Sequence, residues 1–299
     1  MNEATGLKLL FIINPGSGNN HTDWHSEIRN YFKSTHHTIE LFDLPEPCST
    51  EKIKQKIEEY KPQRVIAVGG DGTVKLAAQC LMQTNIPLGI LPAGSANGMA
   101  KELEIPGNAE DALEIVVNGT VKKIHLLKIN DELCIHLSDI GFNAFVVKKF
   151  EASHKRGMLG YIQASWKVLW DKPFMQLEIQ TDKVVIKREA AMIVLANATK
   201  YGSNALINPN GKLNDDLFEV IVVKKVSFKE IFKMMITHMP YDPAKTEVLQ
   251  TGSLHIHAKK KVHFQVDGEY LGKINDINAD IITDAVNMII PNKQINSIT

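Results

Sequence analysis

Two things this sequence lacks narrow its nature at once: a long apolar run and a cysteine framework. No apolar stretch approaches the roughly 20 residues needed to span a bilayer, so no transmembrane segment is expected. No basic stretch followed by an apolar segment and a small-residue cleavage site opens the chain, so no secretory signal is read and a cytoplasmic protein is expected. The three cysteines, Cys48, Cys80 and Cys134, lie far apart with no C-x-x-C pair. That spacing argues for a reducing compartment and against disulfides or a zinc knuckle. Excess charge of one sign is also missing: 34 Lys and Arg balance 34 Asp and Glu, which removes any global attraction to nucleic acid. Internal repeats and low-complexity tracts are absent. What remains is an ordinary globular composition, 44% hydrophobic and 23% charged over 299 residues, long enough for two domains of roughly 100–200 residues each.

The most informative stretch is Val65-Ile66-Ala67-Val68-Gly69-Gly70-Asp71-Gly72-Thr73. An apolar β-branched strand ends in three glycines around one carboxylate, and an amphipathic helix follows. Glycines permit a close backbone approach to a ligand. A strand-to-helix turn also points free N–H groups at an anion. A carboxylate there would be repelled by phosphate unless a cation bridged them, which suggests nucleotide phosphate with Mg²⁺. The alternative is a plain turn, since Gly-Asp-Gly serves many folds. Neither the G-x-G-x-x-G dinucleotide spacing nor a Gly-Lys-Ser/Thr phosphate loop is present.

Apolar runs and helical spacings alternate up to about residue 120, predicting an open, doubly wound parallel α/β sheet. Its strands are read at Leu7–Ile13, Ile39–Phe42, Val65–Val68 and Leu88–Leu91. Such sheets bind ligands beyond the carboxyl ends of their strands. Three turns lie at such ends: Asn14-Pro15-Gly16-Ser17-Gly18, Gly69-Gly70-Asp71-Gly72-Thr73, and Pro92 to Asn97. Ser17, Thr73, Ser95 and Asn97 could bond a nucleotide's phosphates or ribose. Further on, short runs joined by polar turns predict an antiparallel β-sandwich with inserted helices at 161–170 and 228–239. Its strands are read at Lys122–Ile129, Leu133–Leu137, Met175–Thr181, Lys183–Arg188, Ala190–Ala196, Leu217–Val223, Ser253–His257 and Lys261–Val266. The expected division is an α/β nucleotide-binding domain over 1–125 and a β-sandwich substrate and metal domain over 126–299. A return of the extreme C-terminus to the first domain is left open.

Taken in order, these motifs resemble the diacylglycerol kinase and sphingosine kinase family of lipid kinases. The resemblance rests on Asn-Pro-x-Ser-Gly after the first strand, Gly-Gly-Asp-Gly-Thr after the third, and Pro-Ala-Gly-Ser-Ala-Asn after the fourth. It continues in Ile140 to Ala144, Asn210 to Leu217, and Gln265-Val266-Asp267-Gly268-Glu269, so it covers nearly the whole chain. It implies ATP-dependent phosphorylation of a lipid hydroxyl at a membrane surface, with no nucleic-acid partner and with a homodimer left open. It further implies phosphate contacts from Asn14 to Gly18 and Gly70 to Thr73, catalytic Mg²⁺ at Asp71, and Ser95 lining the nucleotide site. A structural Mg²⁺ is implied at the Asp215 carboxylate and the carbonyls of Lys212 and Leu217, and Asp267 or Glu269 is implied as the base.

The chain departs from the family's pattern at several positions. Gly98 stands where an acid is common, Leu76 replaces an acid in the helix after Thr73, and no Lys or Arg follows Gly18. Gly94-Ser95-Ala96-Asn97 is closer to the sphingosine and ceramide kinase branch. A sphingoid-base or ceramide kinase and a catalytically silent binder are therefore rival readings; an NAD kinase-like enzyme, which shares a Gly-Gly-Asp-Gly turn, is disfavoured because Asn-Pro-x-Ser-Gly and Asp267-Gly268-Glu269 fit the lipid kinases better.

Several other features have bland readings as well as sharp ones. Asp267-Gly268 is a favoured hairpin dipeptide, and Asp215-Asp216 could be a solvated turn. His255, His257 and His263 have strand spacing, but a zinc site would need more ligands. Lys148, Lys149, Lys155 and Arg156 could touch anionic headgroups or simply be a solvated run. Tyr161, Trp166, Leu169 and Trp170 are expected to form a helix core face.

Overall fold

The parallel sheet of the N-terminal half is built on central strands with no polar face, flanked by the half-buried edge strand Thr38–Asp43. In the computed structural model, which describes residues 6–18, 22–47, 49–151, 174–197, 200–201, 205–206, 213, 215–226 and 242–292, β1 (Lys8–Ile13) buries every residue after its first. It pairs in parallel with β2 (Thr38–Asp43) on one side and β3 (Arg64–Gly69) on the other. β3 in turn pairs in parallel with β4 (Leu88–Pro92). Strands covered on both faces read as continuous apolar runs, as here.

The coverings are α1 (Trp24–Phe32), α2 (Thr50–Tyr60), α3 (Asp71–Leu81), the short α4 (Gly98–Glu102) and α5 (Ala109–Asn118). Asp23 caps α1 by accepting the Ser26 N–H at 3.2 Å, and the helix buries Trp24, Ile28 and Phe32. Asn108 caps α5 through the Asp111 N–H at 2.8 Å. The last carbonyls of α5, at Val116 and Val117, accept from the Arg64 guanidinium at 2.6 and 3.0 Å, so a cation sits on the negative end of the helix dipole. Tyr31 donates to Glu114 at 2.6 Å and ties α1 to α5, and burial with that carboxylate pushes the phenol pKa upward.

The second half starts with β5 (Thr120–Ile129), β6 (Glu132–Cys134), β7 (Leu137–Gly141) and α6 (Phe142–Glu151). It continues through β8 (Met175–Thr181), β9 (Val185–Ala190), β10 (Met192–Ala196), β11 (Lys200–Tyr201), β12 (Ala205–Leu206) and β13 (Phe218–Val223). A short 3₁₀ turn then leads to β14 (Thr246–Thr251), β15 (Ser253–Val266) and β16 (Glu269–Ile290). The chain divides into one unit of residues 1–124 with 284–299 and another of 125–283. The last residues of β16 belong to the first unit, where Met288 pairs in parallel with Leu88 of β4. The fold class expected from the sequence is the one observed: an N-terminal α/β domain and a C-terminal antiparallel β-sandwich.

In the sandwich, β10 lies between β7 and β13, and all of its residues are buried. Alternate side chains serve two cores. Ile193 and Leu195 join Val220, Val222 and Phe264 in the main core. Met192, Val194 and Ile221 instead pack with Phe142 and Val146 of α6. That double burial explains the unbroken apolar runs at 192–196 and 220–223. The sandwich's edge strands β9 and β14 are clasped by a two-point ion pair. Arg188 Nε and a terminal guanidinium nitrogen donate to the two Glu247 oxygens, each at 2.8 Å.

Several element boundaries differ from expectation. Leu133–Leu137 is not one strand: β6 ends at Cys134 and β7 begins at Leu137. The two strands expected at 253–257 and 261–266 form a single β15 with a register shift between His257 and Val262. The 22-residue β16 was not expected at all. It carries Asn and Asp repeatedly, residues depleted in strands, and pairing with its neighbours overrides that preference. The helices read at 161–170 and 228–239 lie outside the described residues, as do Cys48, Lys155 and Arg156.

The Arg188 hydrogen bonds hold the Glu247 carboxyl below its ordinary 4.5. A depressed carboxyl contributes stability above its unfolded pKa and loses it as pH falls through the folded value. Arg188→Ala should therefore lower Tm by about 2 °C at pH 7. In thermal melts, the gap to wild type should close well below pH 4.5.

Candidate functional site

In the first unit, three turns close over the carboxyl ends of β1, β3 and β4, and backbone packing fits them to one another. A Cβ on Gly94 would fall 2.4 Å from the Gly70 Cα, and one on Gly18 would fall 2.4 Å from the Ala93 carbonyl oxygen. Gly18 also holds φ +70, a conformation that glycine adopts without strain. Asn14 links the first turn to the second: its Nδ2 donates to Thr73 Oγ1 at 3.1 Å, while its Oδ1 accepts the Gly16 N–H at 3.1 Å.

Several side chains expected to face a ligand instead brace these turns. Ser17 is buried and donates to the Asn14 carbonyl at 2.8 Å. Thr73 is buried behind Gly69. Asn97, with φ +50, folds back to accept from the Gly94 N–H and donate to the Gly94 carbonyl, both at 2.8 Å. Pro15, Gly16, Gly18, Gly72, Ser95 and Ala96 are the exposed members. Asp71 and Gly72 open α3, so their N–H groups have no acceptor within the helix.

Asp71 does more than sit in a turn. Its Oδ2 accepts the Gly98 N–H and its Oδ1 the Met99 N–H, each at 2.9 Å. The carboxylate thus joins the start of α3 to the start of α4, which a reading of the turn alone did not show. Gly98, noted for lacking an acid, contributes its amide to this contact. Each Asp71 oxygen keeps a lone pair for a further donor or a metal-bound water. Buried Lys75 is a cation on α3, two residues beyond Thr73, that the sequence reading passed over.

The second unit places Asp267 and Gly268 at the two-residue tip between β15 and β16, with φ values of +51 and +86. The hairpin reading of this dipeptide is therefore true whatever else it does. The Asp267 carboxylate is cradled by backbone amides of the β6–β7 connection. Oδ1 accepts from His136 at 2.9 Å and Leu137 at 3.3 Å, while Oδ2 accepts from Ile135 at 3.1 Å. The Cys134 thiol also lies 3.5 Å from Oδ1. Glu269, by contrast, is exposed, and no described residue hydrogen-bonds its carboxylate. The two acids do not share a setting: one is pinned and the other points into solvent.

Near β13, the Asp215 Oδ1 is buried without a hydrogen-bond partner. An orphaned carboxylate oxygen calls for a cation, so Asp215 fits a metal ligand. Leu217 lies two residues on, just before β13, and Lys212 is outside the described residues. The neighbouring Asp216 is exposed and lies 3.6 Å from the His125 ring. His257 and His255 pair across strands with Asp276 and Asn278, at 2.7 and 2.8 Å. Among the described residues, no group of three His, Cys, Asp or Glu side chains forms a metal site. His263 stacks on Phe145 at 4.3 Å and meets the Tyr270 hydroxyl at 2.8 Å. Burial and the nearby Lys273, Lys148 and Lys149 push its pKa down to about 4. No described helix is long and apolar enough to cross a membrane.

Residues 8–129 match the diacylglycerol kinase catalytic domain, and residues 138–290 match the YegS C-terminal NAD kinase β-sandwich-like domain. An uncharacterised protein of Synechocystis is 26% identical over 283 residues, and the match covers 87% of this chain but 65% of that protein's length. A diacylglycerol kinase of Staphylococcus epidermidis is 25% identical over 239 residues, covering 76% of each chain. A solved structure of a putative diacylglycerol kinase from Bacillus anthracis superposes with TM-score 0.78 at 21% identity, covering 98% of this chain and 99% of that one. At that identity the likeness establishes the fold.

The Gly70–Gly94 contact has no room for a methyl group. Gly94→Ala should therefore destabilise the protein by on the order of 1–3 kcal/mol in urea unfolding.

Proposed function

Because the chain belongs to the diacylglycerol kinase-like family of lipid kinases, we propose that it transfers the γ-phosphate of ATP to a hydroxyl of a diacylglycerol-like lipid. The observation that carries this reading is the interlocked set of turns around the start of α3. Exposed glycine backbone and the free N–H groups of Asp71 and Gly72 there favour an anion. The first unit would hold the phosphates along 14–18 and 70–73, with Ser95 at the nucleotide's edge. Asp71 would hold Mg²⁺ through its remaining lone pairs, and that ion would neutralise the phosphate oxygens. Asp215, with the carbonyls of Lys212 and Leu217, would hold a second, structural Mg²⁺.

The two acids of the hairpin take different roles in this reading. Asp267 spends its oxygens on three backbone amides, which suits it to positioning the tip. Glu269, exposed and without a described partner, is the proton acceptor for the lipid hydroxyl. The lipid would be met at a membrane surface by a cytoplasmic protein. The Gly94-Ser95-Ala96-Asn97 turn favours a sphingoid base or ceramide as the second candidate acceptor. Labelled ATP presented with a panel of diacylglycerol, sphingosine and ceramide micelles decides among them. Absence of transfer to every lipid would favour a silent binder.

Asp71→Asn gives up one of the two amide contacts at the start of α4; it should keep its secondary structure by circular dichroism and cut turnover at least about a hundredfold. An unchanged rate would remove Asp71 from the mechanism.

Glu269→Gln should lower kcat by about 10²–10⁴ while calorimetry shows ATP still bound. A Glu269→Gln enzyme working at the wild-type rate would rule that carboxylate out as the base.

A further inference from the structure

The hairpin tip is held from below as well as from its side. Gln265 is fully buried on β15 and pairs across the ladder with Asp139 of β7, which has no exposed surface. The Gln265 Nε2 donates to Asp139 Oδ2. The same oxygen accepts from Asn143 Nδ2, at the start of α6, at 2.6 Å. The other end of the Gln265 amide faces the tip, where Oε1 accepts the Gly268 N–H at 2.7 Å. These partners fix the amide's orientation, because a carbonyl oxygen turned toward Asp139 would meet a carboxylate. Ser138 locks the backbone beneath by donating to the Gln265 carbonyl at 2.6 Å. The result is a short chain of bonds from a buried carboxylate, through one amide, to the N–H between Asp267 and Glu269.

We infer that Gln265 and Asp139 are positioning residues that set the placement of Glu269 by holding the Gly268 N–H. The inference rests on the reading of Glu269 as proton acceptor. The physical case is twofold. Asp139 polarises the amide, so its oxygen is a stronger acceptor than that of an isolated glutamine. The Gly268 bond also complements the Asp267 cradle: one pins the tip through a side chain, the other through the backbone. A carboxylate at a hairpin tip would otherwise sample many positions, and a displacement of about 1 Å can cost about a hundredfold in rate.

The test compares wild type, Gln265→Met, Asp139→Asn and Glu269→Gln. It reads amide hydrogen exchange at Gly268 by NMR, kcat with a diacylglycerol micelle, KM for ATP, and Tm. Gln265→Met keeps the side-chain length and removes both bonds. It should speed Gly268 exchange at least about tenfold and lower kcat about ten- to a hundredfold, with KM for ATP held within about twofold. A merely structural role would lower Tm and leave kcat unchanged in the folded enzyme. Asp139→Asn keeps the shape and replaces one carboxyl oxygen with an amide donor. It should move exchange and kcat in the same direction by about threefold, and it carries the test if Gln265→Met does not fold. Wild-type exchange at Gly268 in the folded variants overturns the inference. Faster exchange with wild-type kcat, while Glu269→Gln is inactive, overturns it and leaves the Glu269 reading standing. Wild-type kcat in Glu269→Gln overturns both.

Discussion

The three turns of the first unit depend on the distance between two backbones. Gly70 and Gly94 approach so closely that neither tolerates a side chain without displacement. The Asp71 carboxylate then spans the same gap by accepting amides from Gly98 and Met99. Steric exclusion and charge-assisted hydrogen bonding work in the same direction. The glycines remove what would hold the turns apart, and the carboxylate bonds across the gap. Because each amide lies at the start of α4, the negative charge also sits at the favourable end of that short helix. The first turn is tied in through Asn14, whose side chain reaches Thr73 of the second.

A similar economy governs the second unit, with polar groups in place of glycine. The β15–β16 tip is a two-residue turn with positive φ at both residues, and a bare hairpin of this kind would be loosely held. Here the Asp267 side chain accepts three backbone amides and the Gln265 side chain accepts a fourth. Each of these groups would be costly to bury alone. Together they satisfy one another and leave only Glu269 of the tip's acids facing solvent. In the first unit, likewise, the Ser17, Thr73 and Asn97 side chains brace the turns. The groups left for a ligand are backbone N–H groups and exposed small residues.

Much of this was legible in the sequence. Leu7 to Ile13 and Val65 to Val68 read as buried parallel strands because burial on both faces demands near-continuous apolar residues. The three turns were visible because glycine marks backbone that comes close to something. The β-sandwich was visible through its short strands, although β16 escaped notice, since its Asn and Asp residues mask a pairing that only neighbouring strands supply. The β6–β7 connection was read as one strand because apolar periodicity does not register where a chain bends to cradle a carboxylate.

By itself, then, the sequence determined which elements form and which residue types gather at strand ends, since both follow from local periodicity and backbone freedom. The tertiary structure decided which of those residues hold the scaffold and which are left for chemistry. Asp71 and Gly98 are 27 positions apart, and Asp267 and His136 are 131 apart. Such pairings depend on how strands stack and how turns approach, and no local pattern encodes them. The division between Asp267 and Glu269 has the same origin. Two carboxylates in one short motif look alike in the sequence. They differ because amides contributed by a distant connection reach one of them and not the other.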